Sequence, residues 1–342
     1  MAFITDSVNM VHPSFVEPSL IMPINQASGA FDTLPDGKPE TKLGAEDLAV
    51  YAKRLDLRTT MTAAQSAANQ LPSATIVAGL LSTPTYLIRS RMEWDHHDAA
   101  NAGNWGIGIE AASRLGSHQG IFQLMRGALL YGFNPLNGEG LLNATGATTI
   151  NLPPDSNNND TIQTYDNGQL ATFFLAQIGL IKSRTNQLGA GREFTILMPQ
   201  RIGQQLEYPN IVQLVQYQRI GAGSQTTAGV VKDILEGNKD IIRWVYDDTL
   251  IGKGAGGNDA IVLVMPKIEQ PNPGAGVPNT NIFAGLSPNM PDCTKMYTDM
   301  AAPREIPVPI PGGAIDTTYE IRVSPGWALR PEAITIISAQ YS

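Results

Sequence analysis

Between Arg126 and Gly146 the chain reads RGALLYGFNPLNGEGLLNATG, and no other stretch restricts the fold as tightly. Apolar residues at helical spacing run up to Tyr131, and Gly132 is placed to end that helix in the left-handed conformation that glycine adopts without strain. Glycines at 132, 138 and 140 then tighten a loop that delivers an apolar plug, Gly140-Leu141-Leu142-Asn143. The stretch holds no nucleophile, no pair of carboxylates and no set of metal ligands. It is a joint: a helix end, a sharp turn and a plug for a core must all meet within one short span.

The rest of the composition agrees with a structural role. The chain has 342 residues, of which 42% are hydrophobic and only 16% charged. Single cores stop growing near about 250–300 residues, so two sub-domains are expected. The net charge is −8. A protein that grips nucleic acid through its phosphates carries a basic face or tail. Residues 1–50 instead hold Asp6, Glu17, Asp32, Asp36, Glu40, Glu46 and Asp47 against Lys38 and Lys42. Cys293 is the only cysteine, which excludes an intramolecular disulfide and fits a reducing compartment. The N-terminus, MAFITDSVNMVHPSF, lacks the basic region and apolar run of a signal peptide. No stretch approaches 18 uncharged apolar residues, so no membrane partner is expected.

Residues 1–45 read as an arm. Pro13, Pro18, Pro23, Pro35 and Pro39 block a continuous helix, yet Phe15, Leu20, Ile21, Met22 and Ile24 make the segment too apolar for a solvated tail. Leu48, Tyr51, Ala52 and Leu55 have helical spacing and predict a helix over 45–57. Residues 74–91 read as strands broken at Pro84, and MEWDHHDAANAGNWG as a polar, turn-rich segment. Together, about 65–106 form an expected hairpin-like excursion. Helices are expected over 109–131 and 169–188, the second capped by Asp166 or Asn167 and ended by Gly189. Strands at 194–198, 241–245, 260–265, 319–323 and 333–338 alternate with short helices at 199–206 and 230–235. Loops at 152–168 and 268–292 and a proline run at 303–311 complete a chain with more irregular connection than a compact enzyme carries.

Four motifs could carry chemistry, and none has its required context. Asp95-His96-His97-Asp98 resembles the metal-binding motif of a phosphoesterase family, but the apolar strand and upstream aspartate motif of that family are missing. Two neighbouring histidines on a strand would also face opposite ways. Gly106-Ile107-Gly108-Ile109-Glu110-Ala111 matches a dinucleotide fingerprint without the buried strand that must precede it. Residues 252–257, GKGAGG, lack the order of a phosphate loop and read as a mobile hairpin loop. Ser117 and His118 are neighbours on a helix and cannot act as nucleophile and base. Neither a catalytic residue nor a cofactor is therefore expected.

The order of elements resembles the major capsid protein of tailed bacteriophages, the Hong Kong 97-type fold, and the Gly140-Leu141-Leu142-Asn143 plug is the most specific piece of that likeness. The resemblance covers nearly the whole chain. It implies an α+β fold with an N-terminal arm (1–50), an extended hairpin loop region (51–108), a peripheral domain with a spine helix (109–189 and 316–342) and an axial domain (190–315). It also implies self-assembly into pentamers and hexamers of an icosahedral head around double-stranded DNA. DNA would be touched only weakly and non-specifically, and the partners would be portal and scaffolding proteins and possible cement or decoration proteins. Assembly would occur in the host cytoplasm, and the product would be a virion. Some relatives carry a scaffolding segment that is cut off; no long charged helical prefix is present here. Others weld the hairpin to a neighbour through a lysine–asparagine bond. No lysine stands between Lys53 and Lys182, so a hairpin over 65–106 implies a shell without cross-links.

The assembly residues expected on this reading are Phe15, Leu20 and Ile21 in the arm, Arg89 and Arg91 paired with acids of a neighbour, and Trp94 and Trp105 in the hairpin region. Gly132, Gly140, Leu141, Leu142 and Asn143 form the fold joint. A bacterial nanocompartment (encapsulin-type) shell subunit resembles the same fold and is the alternative. A phosphoesterase using Asp95, His96 and His97 is the third reading.

Overall fold

The strand segments DAIVLV and ITIISA are buried along their whole length, as strands covered on both faces must be. They form the centre of the molecule. The computed structural model describes residues 28–59, 74–104, 108–185, 191–207, 226–268, 292–311 and 313–341. In chain order these contain β1 (Glu40–Thr41), β2 (Ala49–Thr59), β3 (Ala74–Pro84), β4 (Tyr86–Trp94), α1 (His96–Asn104) and α2 (Ile109–Leu130). Next come β5 (Thr148–Asn151), α3 (Asn167–Arg184), β6 (Glu193–Met198), α4 (Gln200–Glu207), α5 (Thr227–Gly237), β7 (Ile241–Tyr246) and β8 (Asp259–Val264). The remainder is strand: β9 (Thr294–Lys295), β10 (Tyr297–Thr298), β11 (Arg304–Ile310), β12 (Ala314–Val323), β13 (Trp327–Ala328) and β14 (Ile334–Ala339).

The central sheet has the order β5-β14-β8-β6-β7, with β14 antiparallel to β8 and β8 antiparallel to β6. Because side chains alternate, it feeds two cores. Phe194, Ile196, Ile261, Leu263 and Ile337 meet Leu170, Phe174, Ile178 and Ile181 of α3, with α4 and α5 beside them. Val262, Val264, Ile334 and Ile336 meet the end of α2 and residues Ala30, Phe31 and Leu34. Helix α3 forms as its sequence demands. The Asp166 carboxylate accepts from the Gly168 N–H at the first turn, and Lys182 and Arg184 occupy the last.

The second sheet is built on β12, which pairs with β11 on one edge and along nine residues with β4 on the other. Thr317, Tyr319, Ile321 and Val323 of β12 point inward in strict alternation and are covered by α2. Residues 28–43 run along the body, with β1 parallel to β10.

Several local expectations are corrected. Residues 45–57 do not form a helix: β2 pairs with β3 from Ala49 opposite Pro84 to Thr59 opposite Ala74. The helical spacing of Leu48 and Tyr51 is not a buried stripe, since they are 76% and 68% exposed; long-range pairing overrides the local period. The antiparallel pairing of residues 49–59 with 74–84 begins before residue 65 and ends before residue 106. The polar segment at 95–105 contains α1, and the proline run at 303–311 contains strand β11. Pro307 and Pro309 are tolerated because β11 is an edge strand. Helix α3 packs on strands β6 and β8 of the central sheet.

Candidate assembly interface

The joint at 130–146 is held by close backbone approach. Gly132 and Gly140 both have positive φ, and a Cβ on Gly140 would stand 2.4 Å from the Gly132 nitrogen. The Gly140 N–H donates to the Gly326 carbonyl at 2.9 Å, and the Gly326 N–H donates to the Ala128 carbonyl at 3.0 Å. Glu139, buried beneath this crossing, accepts from the Tyr86 hydroxyl at 2.9 Å and from the N–H groups of Phe133 and Asn134 at 3.2 and 2.8 Å. Burial first, and then this carboxylate, push the Tyr86 phenol up. Asn143 donates to the Tyr131 carbonyl at 2.9 Å, Leu141 is fully buried and Leu142 half-buried. The joint thus ties the end of α2 to the start of β4 and to the loop after β12.

Arg89 and Arg91 project from β4. Arg89 pairs with Glu320 at 3.1 Å, and Arg91 with Asp316 at 2.8 Å and Glu93 at 3.3 Å. The acids expected from a neighbouring subunit are thus supplied by this chain's own β12, because the register sets Arg89 opposite Glu320 and Arg91 beside Asp316. The hydrogen bond and charge of Asp316 raise the Arg91 guanidinium pKa further. Trp94 is half-buried at the end of β4, opposite Ile315. Phe15, Leu20, Ile21 and Trp105 lie outside the described residues.

The histidine cluster begins a helix, not a strand. Asp95 and Asp98 cap α1 reciprocally: the Asp98 N–H donates to the Asp95 carboxylate at 2.8 Å, and the Asp95 N–H to Asp98 at 3.3 Å. The Asp98 backbone bond is the main reason the Asp95 carboxyl lies below its usual range. His96 and His97 are exposed, with ring centroids 3.9 Å apart. Among the described residues no group of three His, Cys, Asp or Glu side chains is arranged to hold a metal ion. In the glycine-rich loop the donors are already engaged: Gly252 N–H with Asp259 at 3.0 Å and Ala255 N–H with Ser338 at 2.8 Å. Ser117 is buried and lies 3.3 Å from the Ser90 hydroxyl, while His118 stacks edge-on against Tyr319. The buried acids Asp240 and Asp259 are paired with Lys182 and Arg201.

What the chain does offer is apolar surface on projecting strands. Tyr51 and Leu80 are 68% and 70% exposed on the ribbon. Leu87, Val308 and Ile315 are exposed on the second sheet. Leu136, at the tip of the joint loop, is 97% exposed.

No family model matches the chain, and no curated protein does. Solved structures match over almost their whole length. The capsid of Myoviridae phage XM1 aligns with a TM-score of 0.68 at 9% identity, covering 97% of this chain and 99% of that one. The fold is that of a tailed-phage capsid protein. The capsid of a native GTA particle aligns with a TM-score of 0.57 at 10% identity, covering 97% and 96% of the two chains. A Mycobacterium phage Bobi structure aligns with a TM-score of 0.56 at 10% identity over 100% of both.

The α+β Hong Kong 97-type capsid fold expected from the sequence is therefore present. Two residues that hold its joint escaped the sequence reading. Gly326 sits in an ordinary-looking Ser-Pro-Gly-Trp turn. Glu139 had a signal, being the only acid in the 126–146 stretch.

Proposed function

We propose that this chain is the major capsid protein of a tailed phage, and that it self-assembles into pentamers and hexamers of an icosahedral head enclosing double-stranded DNA. The observation that carries this reading is the near-complete, two-way coverage by the XM1 capsid structure. The ribbon supports it independently. An isolated two-stranded ribbon is marginal in water, and among the described residues β2 and β3 pair with no strand but each other. A neighbour that covers Tyr51 and Leu80 would supply the missing burial. The acidic charge, −8, suits a wall that meets packaged DNA only weakly.

On this reading the axial unit is the central sheet with α3, α4 and α5, and the peripheral unit is the second sheet with α2. Trp94, Trp105 and the outer arm around Phe15 are inter-subunit anchors, and Arg89 and Arg91 reach a neighbour only in addition to their own acids. Portal, scaffolding and cement or decoration proteins are the partners, and assembly takes place in the host cytoplasm.

If the β2–β3 ribbon serves as the hairpin, it does carry a lysine, because Lys53 lies on β2. It stands four residues from the base of the ribbon, opposite Leu80. A shell without lysine–asparagine cross-links remains the proposal, with Lys53 as the residue to watch.

The test is expression of the chain alone, followed by negative-stain imaging and a denaturing gel of the particles. Closed shells that dissolve to a single monomer band are expected. A chain that stays in small oligomers under all assembly conditions tells against the capsid reading. A ladder at multiples of the monomer mass tells against the non-covalent shell. A particle isolated from its source with an enzyme cargo and no DNA indicates a nanocompartment.

A further inference from the structure

One edge of the second sheet is closed to a further strand and the other is open. Edge strand β11 carries Pro307 opposite Thr317 and Pro309 opposite Ile315, and proline has no N–H to give a newcomer. On the other edge, β4 has no proline between Thr85 and Trp94. Among the described residues it pairs only with β12.

Hydrogen bonding around β12 shows which groups of β4 are left over. The Asp299 N–H donates to the Arg322 carbonyl at 3.1 Å, and the Ser324 N–H donates to the Tyr297 carbonyl at 2.9 Å. Even-numbered residues here therefore bond toward β10 and β11, as the two prolines also require, and odd-numbered ones bond toward β4. Thr317 lies opposite Met92 and Tyr319 opposite Ser90. Ser90 and Met92 thus give their backbone groups to β12, while the N–H and C=O groups of Arg89, Arg91 and Glu93 face the open edge. Helix α1 leaves that edge clear: a Cβ on Gly313, between β11 and β12, would stand 3.2 Å from the His96 Nδ1, so α1 starts toward β12.

Along the open edge the chain reads Arg89-Ser90-Arg91-Met92-Glu93-Trp94-Asp95. Its charges invert about Met92. An antiparallel copy centred there sets Arg91 opposite Glu93 of the partner subunit and Arg89 opposite Asp95 of the partner subunit, and each pair occurs twice. Opposite charges directly across a strand pair stabilise it, whereas like charges destabilise it. Centred on Ser90 or Arg91, the same strand would set arginine against arginine. The Arg89 and Arg91 side chains are 63% and 61% exposed despite their ion pairs with β12, so both can take a second acid.

We propose that the open edge of β4 pairs with β4 of a second copy of this chain about a two-fold axis through Met92, which joins the two second sheets into one. Arg91 and Glu93 exchange backbone hydrogen bonds with Glu93 and Arg91 of the partner subunit. The Asp95 backbone is already engaged by α1, so the outer pair with Arg89 forms through side chains alone. Each arginine then lies between two acids: Arg91 between Asp316 and Glu93 of the partner subunit, Arg89 between Glu320 and Asp95 of the partner subunit. The contact is isologous and needs only two copies. It is therefore read in the unassembled chain, and its failure is separate from failure of the capsid reading.

The test is the full-length chain carrying Met92→Cys, oxidised mildly below the concentration at which it assembles. Position 92 faces its own copy in a non-hydrogen-bonded pair, where Cα atoms stand about 4.5 Å apart, within disulfide reach. The native Cys293 is fully buried and stays silent. A dimer band on a non-reducing gel is expected, with at least ~10-fold less dimer from Ser90→Cys, whose thiol faces Trp94 of the partner subunit and not its own copy. No dimer from Met92→Cys, or comparable dimer from both variants, overturns the proposal. Adding Arg91→Glu to Met92→Cys should abolish the dimer, and adding Glu93→Arg as well should restore it; a dimer indifferent to either change also overturns it. The wild-type chain gives a reading free of substitutions. Raising its concentration should slow amide exchange at Arg91 and Glu93 by at least ~10-fold as the edge becomes paired. Unchanged exchange at both would overturn the proposal.

Discussion

Gly326 stands against Leu129 so closely that a Cβ on the glycine would lie 2.0 Å from the Leu129 carbonyl oxygen. The obstacle is backbone near the buried end of α2, which cannot swing aside as a flexible side chain could. Gly326→Ala should therefore destabilise the isolated subunit by about 2–3 kcal/mol, the range of overpacked cores. Equilibrium denaturation in urea reads this directly, and an unchanged midpoint would show that the crossing is looser than described.

Glu139 makes the second hold on the same joint. Removing its carboxylate strands the N–H groups of Phe133 and Asn134 and the Tyr86 hydroxyl. Glu139→Ala should cost about 2 kcal/mol. Glu139→Gln keeps an acceptor and should cost less. Equal losses in the two variants would mean that the side chain's bulk, not its hydrogen bonding, matters.

Cys293 gives a pH signature. Burial pushes its thiol from 9.0 up to about 12. Below pH 9 the thiol is protonated in both states and the fold keeps its full stability. As pH rises from 9 toward 12, only the unfolded chain ionises, so stability falls. Cys293→Ala should remove that part of the alkaline slope, as read from unfolding free energies across the range. Wild-type curves parallel to those of the variant would contradict the burial. The native thiol should also resist alkylation until the chain unfolds.

The exposed side chains of the ribbon and second sheet should matter to assembly more than to the subunit. Leu80→Asp and Trp94→Ala are expected to lower particle yield while the melting temperature of the unassembled chain changes little. Arg91→Ala should act likewise only if Arg91 reaches a neighbour as well as Asp316. If Arg91→Ala and Asp316→Asn have the same small effect on yield, the pair serves only the register of β4 on β12. Full yield from both Leu80→Asp and Trp94→Ala would remove these strands from the interface.

The parts of the fold that were legible in the sequence are those where local pattern and tertiary packing agree. Helix α3 carries its own cap at Asp166 and a stripe of Leu170, Phe174, Ile178 and Ile181, all of it buried on the central sheet. The plug at Gly140-Leu141 was legible because only glycine fits a positive φ at such close approach. The ribbon was misread because Tyr51, Val77 and Leu80 are exposed on it, so their spacing carries no information about a core of its own. The same holds for α1, whose polar sequence hides a helix closed by Asp95 and Asp98. Glu320 and Asp316, the β12 partners of Arg89 and Arg91, were out of reach for another reason: they lie more than 220 positions away, and only strand register brings them together.

The most direct measurement is a cryo-electron reconstruction of particles formed by the chain alone. The account predicts an icosahedral shell of pentamers and hexamers, in which the ribbon from Ala49 to Pro84 lies over an adjacent subunit and buries Tyr51 and Leu80. Particles without icosahedral order, or a shell in which that ribbon remains bare to solvent, would contradict it.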